Sequence, residues 1–126
     1  MNVIHKSIYL ATTLWLITGT AAVAEATKWG AIAVDTQKAE KEPAWGTGGA
    51  DTEQEAIDIA VKFCTDEGGA VCKAIVSYEQ CGALAVDGKG EAGWGKSPTK
   101  AGAEKQALSA CGAGICTVVT SDCNAE

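Results

Sequence analysis

The sequence predicts an α+β fold: two tandem β-β-α-β units sharing one core, with about six strands, two helices and disulfide staples. Three observations lead there. The stretch Trp29-Gly30-Ala31-Ile32-Ala33-Val34-Asp35 returns as Cys81-Gly82-Ala83-Leu84-Ala85-Val86-Asp87. The residues after each copy repeat as well: a Trp-Gly pair, a helix-like run, a cysteine closing it, and a cysteine opening a β-branched run. The core is thin, because alanine and glycine dominate, and six cysteines stand ready to brace it. The units span about 29–80 and 81–123, and neither is large enough to bury a sheet face alone, so they should share one sheet or one core.

Residues 1–24 are set apart as a secretory signal peptide. Lys6 precedes an apolar run from Ile8 to Val23, and Ala22-Val23-Ala24 fits the small-x-small cleavage rule. Ala24-Glu25-Ala26 is a second possible cut. An uncleaved anchor fits less well, since the run is short for a span. Residues 25–126 then form one domain, and none of its segments is apolar enough to cross a membrane.

Lys28 to Asp35 reads as a strand in which Ile32 and Val34 alternate with Ala31 and Ala33, so both faces can be buried. Residues 36–43 are polar and form a hairpin loop. Ala44 to Gly46 starts a short return strand that Gly48-Gly49 breaks. Asp51 or Thr52 caps a helix with Glu53 and Glu55 in its first turn and Ile57, Ala60, Val61 and Cys64 on one face. Gly68-Gly69 stops it. Cys72 to Tyr78 is a strand.

The second unit retraces this path. Cys81 to Asp87 is its first strand, Gly88-Lys89-Gly90 its turn and Gly93-Trp94-Gly95 its return strand. Thr99 caps a helix marked by Ala103, Ala107, Leu108 and Cys111, and Cys116 to Thr120 is the last strand. Equivalent positions lie 52 residues apart at the first strand and 44 at the last, because the second unit has shorter loops.

Six cysteines allow fifteen pairings, and the repeat prunes them. Cys64 with Cys72, and Cys111 with Cys116, would each staple a helix end to the next strand. Cys81 and Cys123 remain, each placed just past the last strand of a unit, and their bond would tie the units together. A redox or zinc role lacks support, since there is no C-x-x-C and the gaps within the pairs are seven and four residues.

The remaining chemistry is sparse. The single histidine, His5, lies in the signal, which removes Ser-His-Asp and Cys-His catalysis and histidine-held metals from the mature chain. No cofactor motif is present. Sixteen acids face nine lysines once Lys6 is gone, a net charge of about −7 with no arginine at all. That balance argues against nucleic acid and anionic membrane as partners. Asp35 and Asp87 end equivalent strands; the simple account is that Asp starts a turn, the functional one that they form an acid pair. Trp45 and Trp94 also recur, and architecture favours burial as the largest core residues over an exposed aromatic platform.

With these motifs in hand, residues 29 to 123 resemble the bacterial family called domain of unknown function 4189. The resemblance rests on Trp-Gly-Ala-Ile-Ala-Val-Asp, Ala-Trp-Gly, the helix ending in Cys64, Cys72 before a β-branched strand, Cys-Gly-Ala-Leu-Ala-Val, Gly-Trp-Gly and the helix ending in Cys111. It implies an exported bacterial protein and brings no reaction, cofactor or catalytic residue. The expectation is a periplasmic or extracellular binding module for a protein or envelope component, an inhibitor or immunity-type partner being one concrete form. Contact would run through Trp45, Trp94 and the acidic loop bearing Glu40 and Glu42. The alternative is a small hydrolase of envelope polymer, with Asp35, Asp87 or Glu91 converging in a cleft.

Overall fold

The computed structural model describes residues 27–37, 43–112 and 115–124. The elements run β1 (Trp29–Asp35), β2 (Trp45–Ala50), α1 (Glu53–Asp66), β3 (Cys72–Tyr78), β4 (Cys81–Val86), β5 (Ala92–Ser97), α2 (Lys100–Ala110) and β6 (Thr117–Cys123). Each β-β-α-β unit makes its own antiparallel three-stranded sheet, in the orders β2-β1-β3 and β5-β4-β6. The repeated stretch is thus the central strand of each sheet. Both third strands carry a bulge at the same point, opposite the Ile32/Ala33 and Leu84/Ala85 steps, leaving Ile75 and Val119 as the extra residues.

Alternation along the central strands sets the layers. Ala31 and Ala33 face α1 and pack on Ala56, Ala60 and Cys64. Ala83 and Ala85 meet Ala103, Ala107 and Cys111 of α2 in the same way. The opposite faces carry Ile32, Val34, Val76 and Tyr78 in one sheet and Leu84 and Val86 in the other, and these join into one core. The result is four layers: helix, sheet, sheet, helix. The units share a core rather than a sheet.

The helices lie very close to their sheets. A Cβ on Gly46 or Gly48 would run into α1 backbone at Ala56, Ala60 and Cys64, and one on Gly93 or Gly95 into α2 backbone at Ala103 and Ala107. Glycine at alternate positions of β2 and β5 is what lets backbone rest on backbone. For this reason Gly48-Gly49 does not break the return strand as expected; β2 continues to Ala50. Thr52 and Thr99 cap the helices, accepting from the N–H groups of Glu55 and Gly102.

Tyr78 is the largest fully buried side chain among the described residues and lies at the junction. It is fully buried, and a Cβ on either Gly30 or Gly82 would overlap its ring, so the ring sits between equivalent glycines of β1 and β4. Its hydroxyl donates to Asp122 Oδ2 at 3.1 Å, and Asp122 holds in β6 the position Tyr78 holds in β3. Asn124 closes the linker between units, donating from Nδ2 to Tyr78 O at 2.9 Å and from its backbone N–H to Gln80 O at 2.8 Å.

All three expected disulfides form: Cys64–Cys72, Cys81–Cys123 and Cys111–Cys116. The role expected of one of them is corrected. Cys81 opens β4 and Cys123 ends β6, and the two are direct cross-strand partners, so their bond braces the second sheet instead of joining the units. The helix faces are corrected as well. The inward residues are the small ones, Ala56, Ala60 and Cys64, while Phe63 and Leu108 are exposed and Ile57 and Val61 only flank the core. The largest correction concerns Trp45 and Trp94, which are not buried.

Stability should reflect both the covalent bracing and the buried phenol. The Cys81–Cys123 bond closes the longest loop, with a sequence separation of 42 against 8 and 5. Chain entropy assigns it about 4 kcal/mol, against roughly 2–3 kcal/mol for each short one. Guanidinium unfolding of the three double-alanine variants should rank them in that order. The phenol acts at alkaline pH. Burial, then the charge and hydrogen bond of Asp122, push Tyr78 well above its ordinary value of 10.0. The folded state therefore keeps a proton that the unfolded chain gives up. This contribution is complete below about pH 10 and drains away as the pH climbs from there towards the folded value. In a chain that starts at Glu25, Tyr78 is the sole tyrosine. The tyrosinate absorbance of that chain should rise only together with unfolding, and Tyr78→Phe should lose this part of the alkaline destabilisation.

Candidate functional site

Three places qualify on their residues. The first is the end of the sandwich where the strand-ending aspartates lie. Asp35 is 3% exposed. Its Oδ1 accepts from Gln37 N–H at 3.0 Å and its Oδ2 from Ala70 N–H at 2.9 Å, which pins the loop closed by Cys64–Cys72 to the end of β1. Asp87 instead accepts twice on Oδ1 within its own hairpin, from Lys89 N–H at 2.7 Å and Glu91 N–H at 3.0 Å. The simple turn account describes the Asp87 bonds and the one from Gln37 to Asp35, whereas the bond from Ala70 N–H is a long-range tie. A cavity of about 300 Å³ does bring Asp35 and Glu91 together over a floor of Val34, Ile75 and Val86, and Asp87 is not part of its lining.

The second place is the pair of tryptophans. Trp45 pairs with Val34 and Trp94 with Leu84, so both lie on the faces that form the core between the sheets. Yet β2 and β5 are outer strands, and the core stops short of them. Trp45 is left 36% exposed and Trp94 47%. The structure does not bring them together, because β5 lies against β3, the opposite edge of the first sheet from β2. Glu40 and Glu42, expected beside Trp45, lie outside the described residues.

The third place was not foreseen. A cavity of about 350 Å³ opens at the junction of the units, lined by Trp29, Ser77, Glu79, Gln80, Lys96 and Ser97, with Tyr78, Cys81 and Pro98 completing it. It lies at a register step where the copies differ in side chain. Where the second unit has the Cys81–Cys123 bond, the first has Trp29 and Glu79. The sequence carried that signal in the replacement of Trp29 by Cys81, which suggests a buried strand and nothing more. Lys96 gave none. Among the described residues no group of three or more His, Cys, Asp or Glu side chains is placed to hold a metal. No helix among them is long and apolar enough to cross a membrane.

The chain can be set beside known proteins. The family model described as Domain of unknown function (DUF4189) matches residues 29–123. No curated protein matches the chain. Among solved structures, the NMR structure of Rv1813c from Mycobacterium tuberculosis is similar at a TM-score of 0.53 and 18% identity, over 98% of both chains. At that identity the likeness is one of fold.

The two aspartates should separate in a stability measurement. Asp35→Ala leaves the Ala70 and Gln37 amides without their acceptor inside the protein and should cost about 2–3 kcal/mol. Asp87→Ala, in a hairpin open to water, should cost about 1 kcal/mol or less. Urea denaturation of the oxidised variants checks the difference.

Proposed function

The chain belongs to the DUF4189 family, which carries no assigned reaction, and from that premise we propose that it is an exported, disulfide-braced binding module without a reaction of its own. The observation that carries this reading is the exposure of Trp45 and Trp94. A protein whose core is largely alanine and glycine leaves its bulkiest apolar side chains at the surface, on the corresponding strand and face of both units. Exposed tryptophan offers a large contact area at small entropic cost, and it is among the residue types most enriched at binding hot spots. Export is supported by the apolar first segment ending in Ala22-Val23-Ala24 and by three disulfides, which persist in oxidising compartments. The acidic balance, with no arginine, favours a partner of basic or neutral surface, a protein or envelope component, over nucleic acid.

One observation favours a second reading. Asp35 and Glu91 line a single cavity, as a carboxylate-dependent hydrolase of envelope polymer requires. Against it stand the two backbone amides that engage both oxygens of Asp35. Release of soluble fragments from purified envelope polymer by the wild type but not by Glu91→Gln would establish that reading.

The binding module is tested by capture. Oxidised mature protein on a support is exposed to envelope and medium fractions of its own culture, and the eluate is read by mass spectrometry. A specific partner should be retained, and Trp45→Ala/Trp94→Ala should reduce it at least tenfold. Equal recovery by wild type and double variant, or no specific partner, would overturn the proposal.

A further inference from the structure

The cavity at the junction of the units has a composition that selects a ligand class. We infer that it is a subsite for a pyranose ring of an envelope glycan, with the chain continuing along β5 towards Trp94. This deepens the binding-module reading and rests on it.

The lining supplies what a sugar needs. Hexose rings have apolar C–H faces and a rim of hydroxyls that both donate and accept. Trp29 provides an aromatic surface, with Pro98 as a second apolar wall. Around them stand a donor in Lys96, an acceptor in Glu79 and an amide that does both in Gln80. Ser77 is left as an acceptor, since its hydroxyl donates to Glu53 Oε1 at 2.7 Å, and Ser97 as a donor, since its Oγ accepts from Thr99 N–H at 3.4 Å. The volume, about 350 Å³, falls in the range of small-molecule sites. A second indole continues the site. Trp94 lies two residues from Lys96 on the same face of β5, about 7 Å along the strand, and is 47% exposed. One indole thus lines the hollow and a second stands beyond its lining on the same strand as Lys96, a spacing that suits consecutive rings of a chain.

The same strand argues against a peptide. An extended peptide would add to the free edge of β5 through backbone hydrogen bonds. At Lys96 that edge is already occupied: Gln106 Oε1, from α2, accepts the Lys96 N–H at 3.2 Å. Ligands that bind by ring stacking and hydroxyl contacts do not need it.

The walls are fixed. Cys81 is tied to Cys123 across the sheet, Tyr78 is wedged between Gly30 and Gly82, and the Asn124 side chain holds the carbonyls of Tyr78 and Glu79. A preformed hollow avoids the ordering cost that weakens loop-built sites. It also belongs to one unit boundary only. The equivalent residues cannot make it twice, because the second unit has a disulfide at that position.

The test is a titration of the oxidised mature protein, monitored by tryptophan fluorescence and by amide chemical shifts. The probes are β-1,4-linked N-acetylglucosamine tetramer, glucose tetramer and, as a non-sugar comparison, an acidic tetrapeptide. Saturable binding of at least one tetrasaccharide, with shifts centred on residues 77–81 and 96–98, is expected. Trp29→Ala and Lys96→Ala should each raise its Kd at least tenfold, and Phe63→Ala, on the exposed side of α1, should leave it unchanged. Near-ultraviolet circular dichroism verifies that each variant is folded. Should Trp29→Ala not fold, Lys96→Ala and Glu79→Gln carry the test. The proposal falls if neither tetrasaccharide shifts these residues, if the tetrapeptide alone does, or if Phe63→Ala weakens binding equally. Failure here together with a specific partner in the capture experiment removes the glycan site and leaves the binding module standing.

Discussion

Each three-stranded sheet has two apolar faces and only one helix to cover them. That constraint shapes everything else. A single unit could bury the alanine face of its central strand under its own helix, but Ile32 and Val34 in one unit, and Leu84 and Val86 in the other, would remain in water. Burying a Val or Leu side chain is worth roughly 1.5–3 kcal/mol, a large share of the net stability of so small a domain. The cover for each face is the other unit. Duplication of the sequence and closure of the core are therefore the same fact.

The division between small and branched residues arises from two different contacts. Helix on sheet is made by backbone nearly touching backbone, so glycine and alanine are required at the inward positions. Sheet on sheet leaves more space, and branched side chains fill it. Tyr78 shows how tightly that second contact is tuned, since its ring fits only because both facing positions, Gly30 and Gly82, lack a side chain. The apolar area such a core buries is modest. Covalent bracing makes up the difference: at each helix end, and across β4 and β6 in the second sheet.

Much of this was legible in the chain. The repeat carried the number and order of elements, the Thr99 cap and the pairing of the cysteines, while the first cap stayed open between Asp51 and Thr52, of which the structure uses Thr52. Other features were hidden for physical reasons. Glycine pairs in a strand usually weaken it, so β2 looked short; only the approach of α1 shows why Gly46 and Gly48 are there. Trp45 and Trp94 sit at core-facing positions, and periodicity gives the face of a strand but not where along the sheet the opposite layer ends. The Cys81–Cys123 bond was paired correctly and explained wrongly, because a sequence shows which cysteines remain and not which strands lie side by side. The junction cavity is built from Trp29 and Lys96, which are 67 positions apart and belong to no shared motif.

The difference between the two halves is then the place to look for specificity. Architecture explains the features the copies share: the central strand, the glycines under the helix, the cap, the helix-end cysteines. It does not explain the difference at Trp29 and Glu79 against Cys81 and Cys123. A fold built only for stability would gain from a second disulfide at that step, which follows the Gly30–Tyr78 pair as Cys81–Cys123 follows Gly82–Asp122. The first unit instead carries an aromatic ring and a carboxylate there, half-buried and exposed respectively, beside a lysine of the second unit. Near-symmetry supplies the rigid frame, and the breach at this step supplies a surface that the frame does not need.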